Sequence, residues 1–356
     1  MGTPLRSDLI LGIESSCDET AAAVLRAPRT VLSSVVASQI PIHRRFGGVV
    51  PELASRQHLL CIDTVVLDAL DQAGCRFEDL GGVAVTYGPG LVGSLLVGIQ
   101  VAKAICMTHA LPLAAINHLE GHIRSLFIEH AEIPLPALFL VVSGGHTSLY
   151  LMRRDDGRYD TLARTRDDAA GEAYDKVAKF LGLGYPGGPI IDRLARHGDP
   201  KKFPFGRPRM SDRSLDFSFS GFKTAVLRHV QAAGMTPLGF LHADGKEPVA
   251  EDLTRPMLDL LASFQEAVVQ TLVERTLKAA HRTRAAAIGL AGGVACNSRL
   301  REVMAEEGKR IGVPVLVTRL SLTTDNAAMI AQAGWQHLQR GRTADGSLNA
   351  DPSAML

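Results

Sequence analysis

Residues 9–25, LILGIESSCDETAAAVL, form an apolar run, a short loop of small and polar residues ending in Thr20, and a second apolar run. Residues 138–152, LFLVVSGGHTSLYLM, have the same arrangement. Two apolar runs of strand length joined by such a short loop predict a β-hairpin. The chain therefore contains two similar predicted hairpins, each with polar residues at its tip.

A second pair of similar segments follows the hairpins. Residues 82–110 and residues 285–304 each contain an apolar strand, a glycine-rich turn and a helix. Both halves thus have a hairpin first and a strand–turn–helix unit later. This order predicts a duplicated α/β protein with two similar lobes and a ligand between them. The alternative is chance, since strand–glycine–helix units are common in α/β proteins.

Composition limits the class of protein. A chain of 356 residues, with 46% hydrophobic and 21% charged residues, suffices for two globular lobes with separate cores. A net charge of +1 confines any nucleic-acid contact to a local patch. Five scattered cysteines without a CxxC pair favour a reducing compartment. We find no secretory signal and no apolar run of membrane-spanning length, so we expect a cytoplasmic protein without a membrane partner.

The second half contains two predicted helices and two predicted irregular segments. Residues 257–281 have the periodicity of an amphipathic helix, and a second helix is expected over 325–339, with Asp325 or Asn326 near its N-cap. Residues 232–256 lack any periodicity and predict a surface loop. The polar tail from Gly341 onward is expected to be frayed.

The segment NHLEGH, residues 117–122, places His118 and His122 one turn apart on one helical face, where two imidazoles can share a cation. Zinc proteases need the glutamate in H-E-x-x-H or H-x-x-E-H order. Glu120 lies in the middle instead and is predicted to project away from the histidines. A metal site and an ordinary pair of surface histidines both stay open, and Asp325 is the candidate third ligand.

The glycine-rich turns are the next candidates. GPGLVG, residues 88–93, formally matches a dinucleotide fingerprint, but the acidic residue expected about twenty positions later is missing and the proline removes an N–H. We interpret it as a tight strand-to-helix turn. No Walker A sequence is present. If a nucleotide binds, the turns at 143–145, 187–188 and 292–293 are candidates, because a glycine backbone lets phosphate approach closely.

Three further segments are ambiguous. DDAAGEAYDK, residues 167–176, has carboxylates for a ribose or a metal, or simply begins a solvated helix. The run 193–213 has seven lysines and arginines interleaved with Phe203 and Phe205, which suits RNA contacts but also describes a solvated loop. The chemistry of LDFSFSGFKT, residues 215–224, has no interpretation from sequence alone.

Together these motifs resemble one family, the universal tRNA threonylcarbamoyltransferases in their bacterial form, once named O-sialoglycoprotein endopeptidases. The similar segments run in order from about residue 9 to 340: GIESSCDET, GGVVPELASRQH, GPGLVGSLLVG, NHLEGH, VVSGGHT, DDAAGEAYDKVAKFLGLGYPGGP, LDFSFSG, GGVACN and TTDNAAM. They are long and specific, and they cover most of the chain.

The resemblance implies an actin-like, duplicated two-lobe α/β fold of the sugar kinase and Hsp70 kind, with a cleft between the lobes. The expected N-terminal lobe is residues 1–116, completed by a C-terminal helix at 327–356. The expected C-terminal lobe, residues 117–326, carries the metal and nucleotide site. The implied reaction moves the threonylcarbamoyl group of threonylcarbamoyl-AMP to N6 of the adenosine just 3′ of the anticodon, in tRNAs that read codons starting with A.

The resemblance also implies roles for particular residues. Metal ligands would be His118, His122 and Asp325, with one divalent ion, Fe(II) in preference to Zn(II). Adenylate contacts would come from Val141, Val142, Ser143, Gly144, Gly145, Asp175, Gly188, Asp192 and Asn297. Asp18 and Glu19, at the first hairpin tip, are candidates to accept the amine proton or to hold the substrate. Arg207 and Arg209 are candidates for tRNA contact.

Expected partners are tRNA, a paralogue without the metal site (TsaB-like) and a small P-loop ATPase (TsaE-like). Three other classes of protein are alternatives. A small-molecule kinase or ATPase of the same fold is disfavoured by the acidic tip of the first hairpin. A metallopeptidase is disfavoured by the position of Glu120, and a non-catalytic scaffold would lack the pair of histidines.

Overall fold

The structure is a computed structural model that describes residues 5–206, 210, 212, 214–238 and 247–356. Within these residues there are ten β-strands and eleven α-helices. The strands are β1 (Leu9–Glu14), β2 (Glu19–Arg26), β3 (Thr30–Ser38), β4 (Gly82–Gly88), β5 (Leu113–Asn117), β6 (Ala137–Val142), β7 (Thr147–Met152), β8 (Asp160–Arg164), β9 (Ala287–Ala291) and β10 (Val315–Leu316). The helices are α1 (Ile40–His43), α2 (Pro51–Ala73), α3 (Val92–His109), α4 (His118–Glu129), α5 (Ala170–Leu181), α6 (Gly187–Ala195), α7 (Ser220–Ala232), α8 (Arg255–Thr283), α9 (Ser298–Ile311), α10 (Leu320–Thr323) and α11 (Ala327–Gln339).

The chain forms two compact units, and each is built on a five-stranded mixed sheet. The strand orders are β3-β2-β1-β4-β5 and β8-β7-β6-β9-β10. In each unit the first two strands of the sequence form an antiparallel hairpin, and the first strand also pairs in parallel with the fourth. The two sheets therefore have the same topology. Both predicted hairpins, both strand–turn–helix units and the predicted duplication are confirmed.

The units divide the chain differently from the expected boundary after residue 116. The first unit contains residues 1–41, 49–133 and 317–356, and the second contains 42–48 and 134–316. Helix α4 belongs to the first unit because it follows β5 directly and packs on α11, where Gly121 lies against Ile330 and Met329. The metal candidates thus lie in the first unit rather than in a C-terminal lobe.

The first unit has a core on each face of its sheet. Leu11 and Ile13 of β1 face a cluster with buried residues of α2 and α3. Ile10, adjacent to Leu11 in sequence, faces the opposite cluster, which includes Met329 and Ile330 of α11. Side chains that alternate between two cores along one strand are what a sheet covered on both faces requires. Helix α11 therefore completes the first unit, as expected, but it ends at Gln339 rather than continuing to 356.

Helix α3 contradicts the expectation that no segment of the chain is long and apolar enough to span a membrane. Its 18 residues have a mean hydropathy of 1.4, so by length and composition alone it is able to cross a membrane. In the structure Leu95, Ile99 and Ala102 of α3 are buried in the core beside the sheet and α2. Packing within the first unit therefore accounts for these buried residues, while Val92 and Met107 of the same helix are exposed.

The remaining sequence predictions for the second half have mixed outcomes. Helices α8 and α11 are confirmed, and the side chain of Asn326 caps α11 by accepting from the N–H of Met329 at 3.0 Å. The described parts of the predicted surface loop, 233–238 and 247–254, contain one short 3-10 helix. The prediction of a frayed tail is wrong. Its backbone N–H groups at Ala344 and Asp351 donate to Leu113 and Tyr87 of the sheet.

Gly12 of β1 sets how closely α11 approaches the sheet. A Cβ at this position would lie 2.2 Å from the carbonyl oxygen of Ala327 and 2.7 Å from the nitrogen of Ala331. Those are backbone atoms at the start of α11, so they cannot move without moving the helix. The absence of a side chain at Gly12 therefore fixes the position of the segment that carries Asp325.

We expect Gly12→Ala to lower the free energy of unfolding by about 1–3 kcal/mol, the usual cost of overpacking. If Asp325 holds a metal ion, as the family resemblance implies, the variant should also bind that ion more weakly, because α11 must shift together with Asp325. Chemical denaturation and metal titration measure the two effects. Gly346→Ala is the matched control, since a Cβ there has no atom within 4 Å in the segments that the structure describes. Equal stability of Gly12→Ala and the unmodified protein would contradict the prediction.

Candidate active site

Three predicted metal ligands come together in the first unit. Asn117 caps α4 by accepting from the N–H of Leu119 at 2.9 Å, which places His118 in the first turn. Oδ1 of Asp325, just before α11, lies 3.6 Å from Nε2 of His118 and 3.1 Å from Nε2 of His122. The three candidate ligand atoms lie within 4.8 Å of one another. The His pair is therefore not a surface pair, since both side chains are buried.

The chemistry of this cluster fits a divalent cation. Both ring nitrogens of His122 are buried and have no hydrogen-bond partner among the residues that the structure describes, although Nε2 lies 3.1 Å from Oδ1 of Asp325. An unpartnered buried imidazole is costly unless a ligand satisfies it. Atoms bound about 2.1 Å from one cation lie about 3.0–3.4 Å apart at right or tetrahedral angles. The distances from Oδ1 of Asp325 to the two histidine nitrogens, 3.6 and 3.1 Å, are close to this range. Two imidazoles and a carboxylate suit Fe(II) and Zn(II).

Glu14, the last residue of β1, lies behind His118, and no pattern in the sequence predicts its role. Its fully buried carboxylate accepts from the backbone N–H of Ser16 and the hydroxyl of Thr86, both at 2.6 Å. Its Oε2 also lies 3.0 Å from Nδ1 of His118. Burial opposes charge on both groups, yet their mutual attraction leaves the pKa of Glu14 lowered. The pKa of His118 rises to about 9 through Glu14 and Asp325, despite its own burial.

The tip of the first hairpin is held in place by His58 of α2. Nε2 of His58 lies 2.9 Å from the carbonyl oxygen of Cys17, which can only accept, so this nitrogen carries the proton. Nδ1 then accepts from the hydroxyl of Thr20 at 2.6 Å. His58 therefore bonds to both sides of the tip, across Asp18 and Glu19. The only sequence signal for it is its place at the end of GGVVPELASRQH.

Asp18 and Glu19 are half-buried at this tip. Oε1 of Glu19 accepts from the hydroxyl of Ser38 at 2.8 Å, and its Oε2 is buried without a hydrogen-bond partner in the described part of the chain. Burial raises the pKa of Glu19 to about 8, against the lowering effect of Ser38 and with help from the charges of Asp18 and Asp325. A carboxyl group that titrates near neutral pH is suited to general acid–base catalysis.

Cys17 does not fit the role of nucleophile. Burial, followed by the negative charges of Asp18 and Asp325, raises the pKa of its thiol well above the ordinary range. The thiolate is the nucleophilic form of cysteine, so this side chain is unreactive at neutral pH.

Glu120 has a structural role. Its Oε2 lies 3.0 Å from Nε2 of His337, and its Oε1 lies 3.9 Å from the buried guanidinium of Arg124. The side chain therefore faces α11 rather than the His118–His122 face, as the sequence spacing predicted. A glutamate in this position cannot serve as the base of a zinc peptidase.

The GPG turn after β4 is closed by the C-terminal tail. The N–H of Gly90 donates to the carbonyl oxygen of Pro352, and that of Asp351 donates to Tyr87. A Cβ at Gly88 would lie 1.9 Å from the carbonyl oxygen of Asp351. The turn thus packs against protein backbone, in agreement with a plain strand-to-helix turn rather than a dinucleotide loop.

In the second unit, the tip of the second hairpin forms a tight turn. The N–H of Ser143 donates to the carbonyl of His146 at 2.8 Å, and the N–H of His146 donates back to the Ser143 hydroxyl at 3.2 Å. Val141 and Val142 are fully buried strand residues, so only their backbone is available to a ligand. A Cβ on Gly144 or Gly145 would have no atom of the described residues within 4 Å. Their backbone therefore faces open space into which a ligand can come close.

The other adenylate candidates form a linked set within the same unit. Asp175 accepts from the N–H of Gly187 at 2.7 Å, which joins α5 to the start of α6 beside Gly188. Asp192 accepts from the hydroxyl of Ser298 at 2.8 Å, and Asn297 caps α9 through the N–H of Leu300. These side chains align the N-terminal ends of α6 and α9. These side chains already form hydrogen bonds within the protein, so the predicted contacts with an adenylate would come in addition to those bonds.

The segment LDFSFSG supplies hydrogen-bond donors to the carboxylate of Asp167. The carboxylate of Asp167 accepts from the N–H groups of Phe219 and Ser220 at 2.7 and 3.2 Å, and from the hydroxyls of Ser218 and Ser220 at 2.5 and 2.8 Å. These bonds satisfy donors at the start of α7. The first acid of DDAAGEAYDK is thus a cap rather than a ribose or metal ligand. Arg207 and Arg209, the candidate tRNA contacts, lie outside the described residues.

Solved structures of low sequence identity share the fold. HypF from T. kodakarensis superposes with a TM-score of 0.61 at 13% identity, over 96% of this chain and 49% of that one. The (R)-2-hydroxyglutaryl-CoA dehydratase component A of Acidaminococcus fermentans does so with a TM-score of 0.52 at 14% identity, over 94% and 100%. At this identity the likeness concerns architecture alone. The chain has the predicted actin-like, duplicated α/β fold.

Proteins found by sequence comparison are much more similar to this chain than these solved structures are. A protein of Geobacter metallireducens is 52% identical over 96% of this chain and 95% of its own length, and one of Koribacter versatilis is 49% identical over 98% and 99%. Both carry the name tRNA N6-adenosine threonylcarbamoyltransferase. The family model TsaD, with the same description, matches residues 30–332. The kinase and peptidase alternatives are not favoured by these relatives, and the chain belongs to the tRNA N6-adenosine threonylcarbamoyltransferase family.

Proposed function

We propose that this tRNA-modifying transferase works with one divalent cation held by His118, His122 and Asp325, Fe(II) in preference to Zn(II). The observation that carries the proposal is the His118–His122–Asp325 cluster, in which both imidazoles are buried and His122 has no hydrogen-bond partner among the described residues. When bound, the cation would supply Lewis-acid charge stabilisation and orientation for oxygens of the donor.

The donor, threonylcarbamoyl-AMP, is proposed to bind through its adenylate part in the second unit. The open backbone at Gly144, Gly145 and Gly188 supports this, because each would accommodate a close phosphate or ribose. Val141, Val142 and Ser143 would contribute backbone groups, and Asp175, Asp192 and Asn297 would shape the site through the helix ends that they align. Glycine turns of this kind bind phosphate without a Walker A sequence.

The reaction forms a bond between N6 of the adenosine and the carbamoyl carbon of the donor, and it breaks the bond from that carbon to the phosphate oxygen. AMP leaves with the electron pair, and the nitrogen loses one proton. No covalent intermediate with the protein is needed, in keeping with the neutral thiol of Cys17. We assign acceptance of the proton to Glu19 and contact with the substrate to Asp18. The protein's other contribution is to position donor and amine together.

The direct test is transfer itself. The protein, loaded with Fe(II) or Zn(II), is incubated with threonylcarbamoyl-AMP and unmodified tRNA that reads codons starting with A. Nucleoside mass spectrometry should then detect N6-threonylcarbamoyladenosine, and a tRNA with another base beside the anticodon should give none. Absence of product in the presence of the proposed partners, a TsaB-like paralogue and a TsaE-like ATPase, would contradict the assignment. We also propose a cytoplasmic location, in keeping with the proposed tRNA substrate.

The basic run that contains Arg207 and Arg209 is the proposed tRNA-binding segment. We expect Arg207→Ala/Arg209→Ala to weaken tRNA binding and to reduce the slope of log affinity against log salt by about two, one for each phosphate that is no longer neutralised. Filter binding across a salt series measures this. Arg282→Ala/Arg284→Ala, at the C-terminal end of α8, removes the same charge elsewhere in the chain. An unchanged slope in the first variant would exclude these two arginines from tRNA binding.

A further inference from the structure

We infer that Glu14 is a positioning residue for the metal site: its buried carboxylate holds the Nδ1–H of His118 and so presents Nε2 to the cation. This inference rests on the proposed metal site. Glu14 ends β1, while His118 begins α4 and Thr86 lies in β4. One carboxylate therefore joins three elements of the first unit directly behind the candidate ligands.

The direction of each hydrogen bond follows from donor and acceptor chemistry. Oε2 of Glu14 lies 3.0 Å from Nδ1 of His118 and accepts from the Thr86 hydroxyl at 2.6 Å. An ionised carboxylate can only accept, so the proton lies on Nδ1 of His118. In a neutral ring the lone pair then belongs to Nε2, the nitrogen 3.6 Å from Asp325. Glu14 thereby selects the tautomer that a cation next to Asp325 needs.

The environment of Glu14 makes this arrangement rigid. The side chain is 0% exposed, and its other oxygen is occupied by the N–H of Ser16 at 2.6 Å. Both oxygens are thus held, and the ring of His118 cannot rotate without leaving a buried carboxylate under-satisfied. The same bond to Ser16 ties the start of the first hairpin tip to the metal site.

The negative charge of Glu14 is a second, independent reason to assign this residue to the metal site. A divalent cation bound by two neutral imidazoles and one carboxylate leaves one positive charge beside two buried histidines. Glu14 supplies the second negative charge without occupying a coordination position, since its oxygens already bond to His118, Thr86 and Ser16. Neutralising a buried ion lowers its desolvation cost. Removing this charge should therefore weaken binding of the cation even where His118 keeps its place.

The test compares metal affinity in matched variants. Glu14→Gln keeps the shape but removes the charge, and Zn(II) titration against a competing chelator should show a dissociation constant about 10–100-fold weaker. Glu120→Gln is the control, because it is the same change at a buried glutamate that faces His337. It should bind Zn(II) as the unmodified protein does. Thermal unfolding checks that both variants fold.

A Glu14→Gln protein that binds Zn(II) as tightly as the unmodified protein would overturn the inference while leaving the metal site intact. Absence of Zn(II) binding by the unmodified protein would overturn the metal site and this inference with it. A second measurement needs no folded Glu14 variant. In the Zn(II)-loaded protein labelled with ¹⁵N-histidine, the His118 ring, identified by the disappearance of its signals in His118→Gln, should be protonated at Nδ1. Coordination of His118 through Nδ1 would refute the role assigned to Glu14.

Discussion

His118→Ala/His122→Ala protein should bind no divalent metal and should lose transfer activity by at least about 100-fold. The magnitude follows from the several kcal/mol that a metal ion contributes to charge stabilisation, at about 1.4 kcal/mol per tenfold change in rate. The two imidazoles provide both nitrogen ligands of the proposed site, and alanine supplies no ligand atom in their place. Metal content by mass spectrometry and rates of nucleoside formation measure the two effects on one protein sample.

The matched control is His109→Ala, a histidine at the C-terminal end of α3 that stacks on Phe77 away from the site. It should retain both metal and activity. Thermal unfolding shows whether the double variant remains folded, because both of its histidines are buried. Full transfer activity in a folded, metal-free double variant would eliminate the metal from the mechanism and leave the His–His–Asp cluster without a catalytic role.

Glu19→Gln should reduce the rate of transfer by about 10²–10⁴-fold, the usual contribution of a general base. The amide cannot take the proton that N6 loses, while its shape keeps the hydrogen bond from Ser38 within reach. The rate of the unmodified protein should rise with pH as Glu19 ionises. The midpoint should lie at or below the metal-free pKa of about 8, since a nearby positive charge favours the carboxylate. Single-turnover rates across pH measure this.

The same substitution should stabilise the fold. The pKa of Glu19 is about 8 in the folded protein and about 4.5 as an ordinary glutamate, so the folded state holds the proton more tightly than the unfolded state. Stability of the unmodified metal-free protein is therefore lost as pH rises from about 4.5 to about 8. Glu19→Gln removes this loss, and its advantage in unfolding temperature should grow across that window. A slower but less stable variant at about pH 8 would indicate a structural role for Glu19 instead.

Much of the fold follows from local patterns. Two apolar runs around GIESSCDET and two around VSGGH predict hairpins because the apolar strands and the short polar loop are local properties. The repeated strand–turn–helix order then predicts the duplication, which the two identical strand orders confirm. Spacing along one helix is also enough to put His118 and His122 on one face and Glu120 on another.

Other predictions are wrong because they depend on what packs against a segment. Hydropathy alone does not tell whether the apolar residues of α3 pack against the rest of the protein or face a membrane. The tail after Gly341 has the composition of a frayed end, but backbone carbonyl groups of the sheet hold it. The boundary after residue 116 was misplaced because α4 is covered by α11, about 200 residues later in the chain.

The sequence by itself therefore determined the duplicated α/β fold, the family, and the residues that are able to bind a metal. Only the tertiary structure decided how those residues are arranged. It placed Asp325 beside the histidines through the close approach of Gly12 to α11 and buried Glu14 behind His118. It also left His122 without a hydrogen bond from any described residue. The physical reason is that pKa values, tautomers and ligand geometry depend on neighbours across the fold, and no local pattern in the chain records which groups become neighbours.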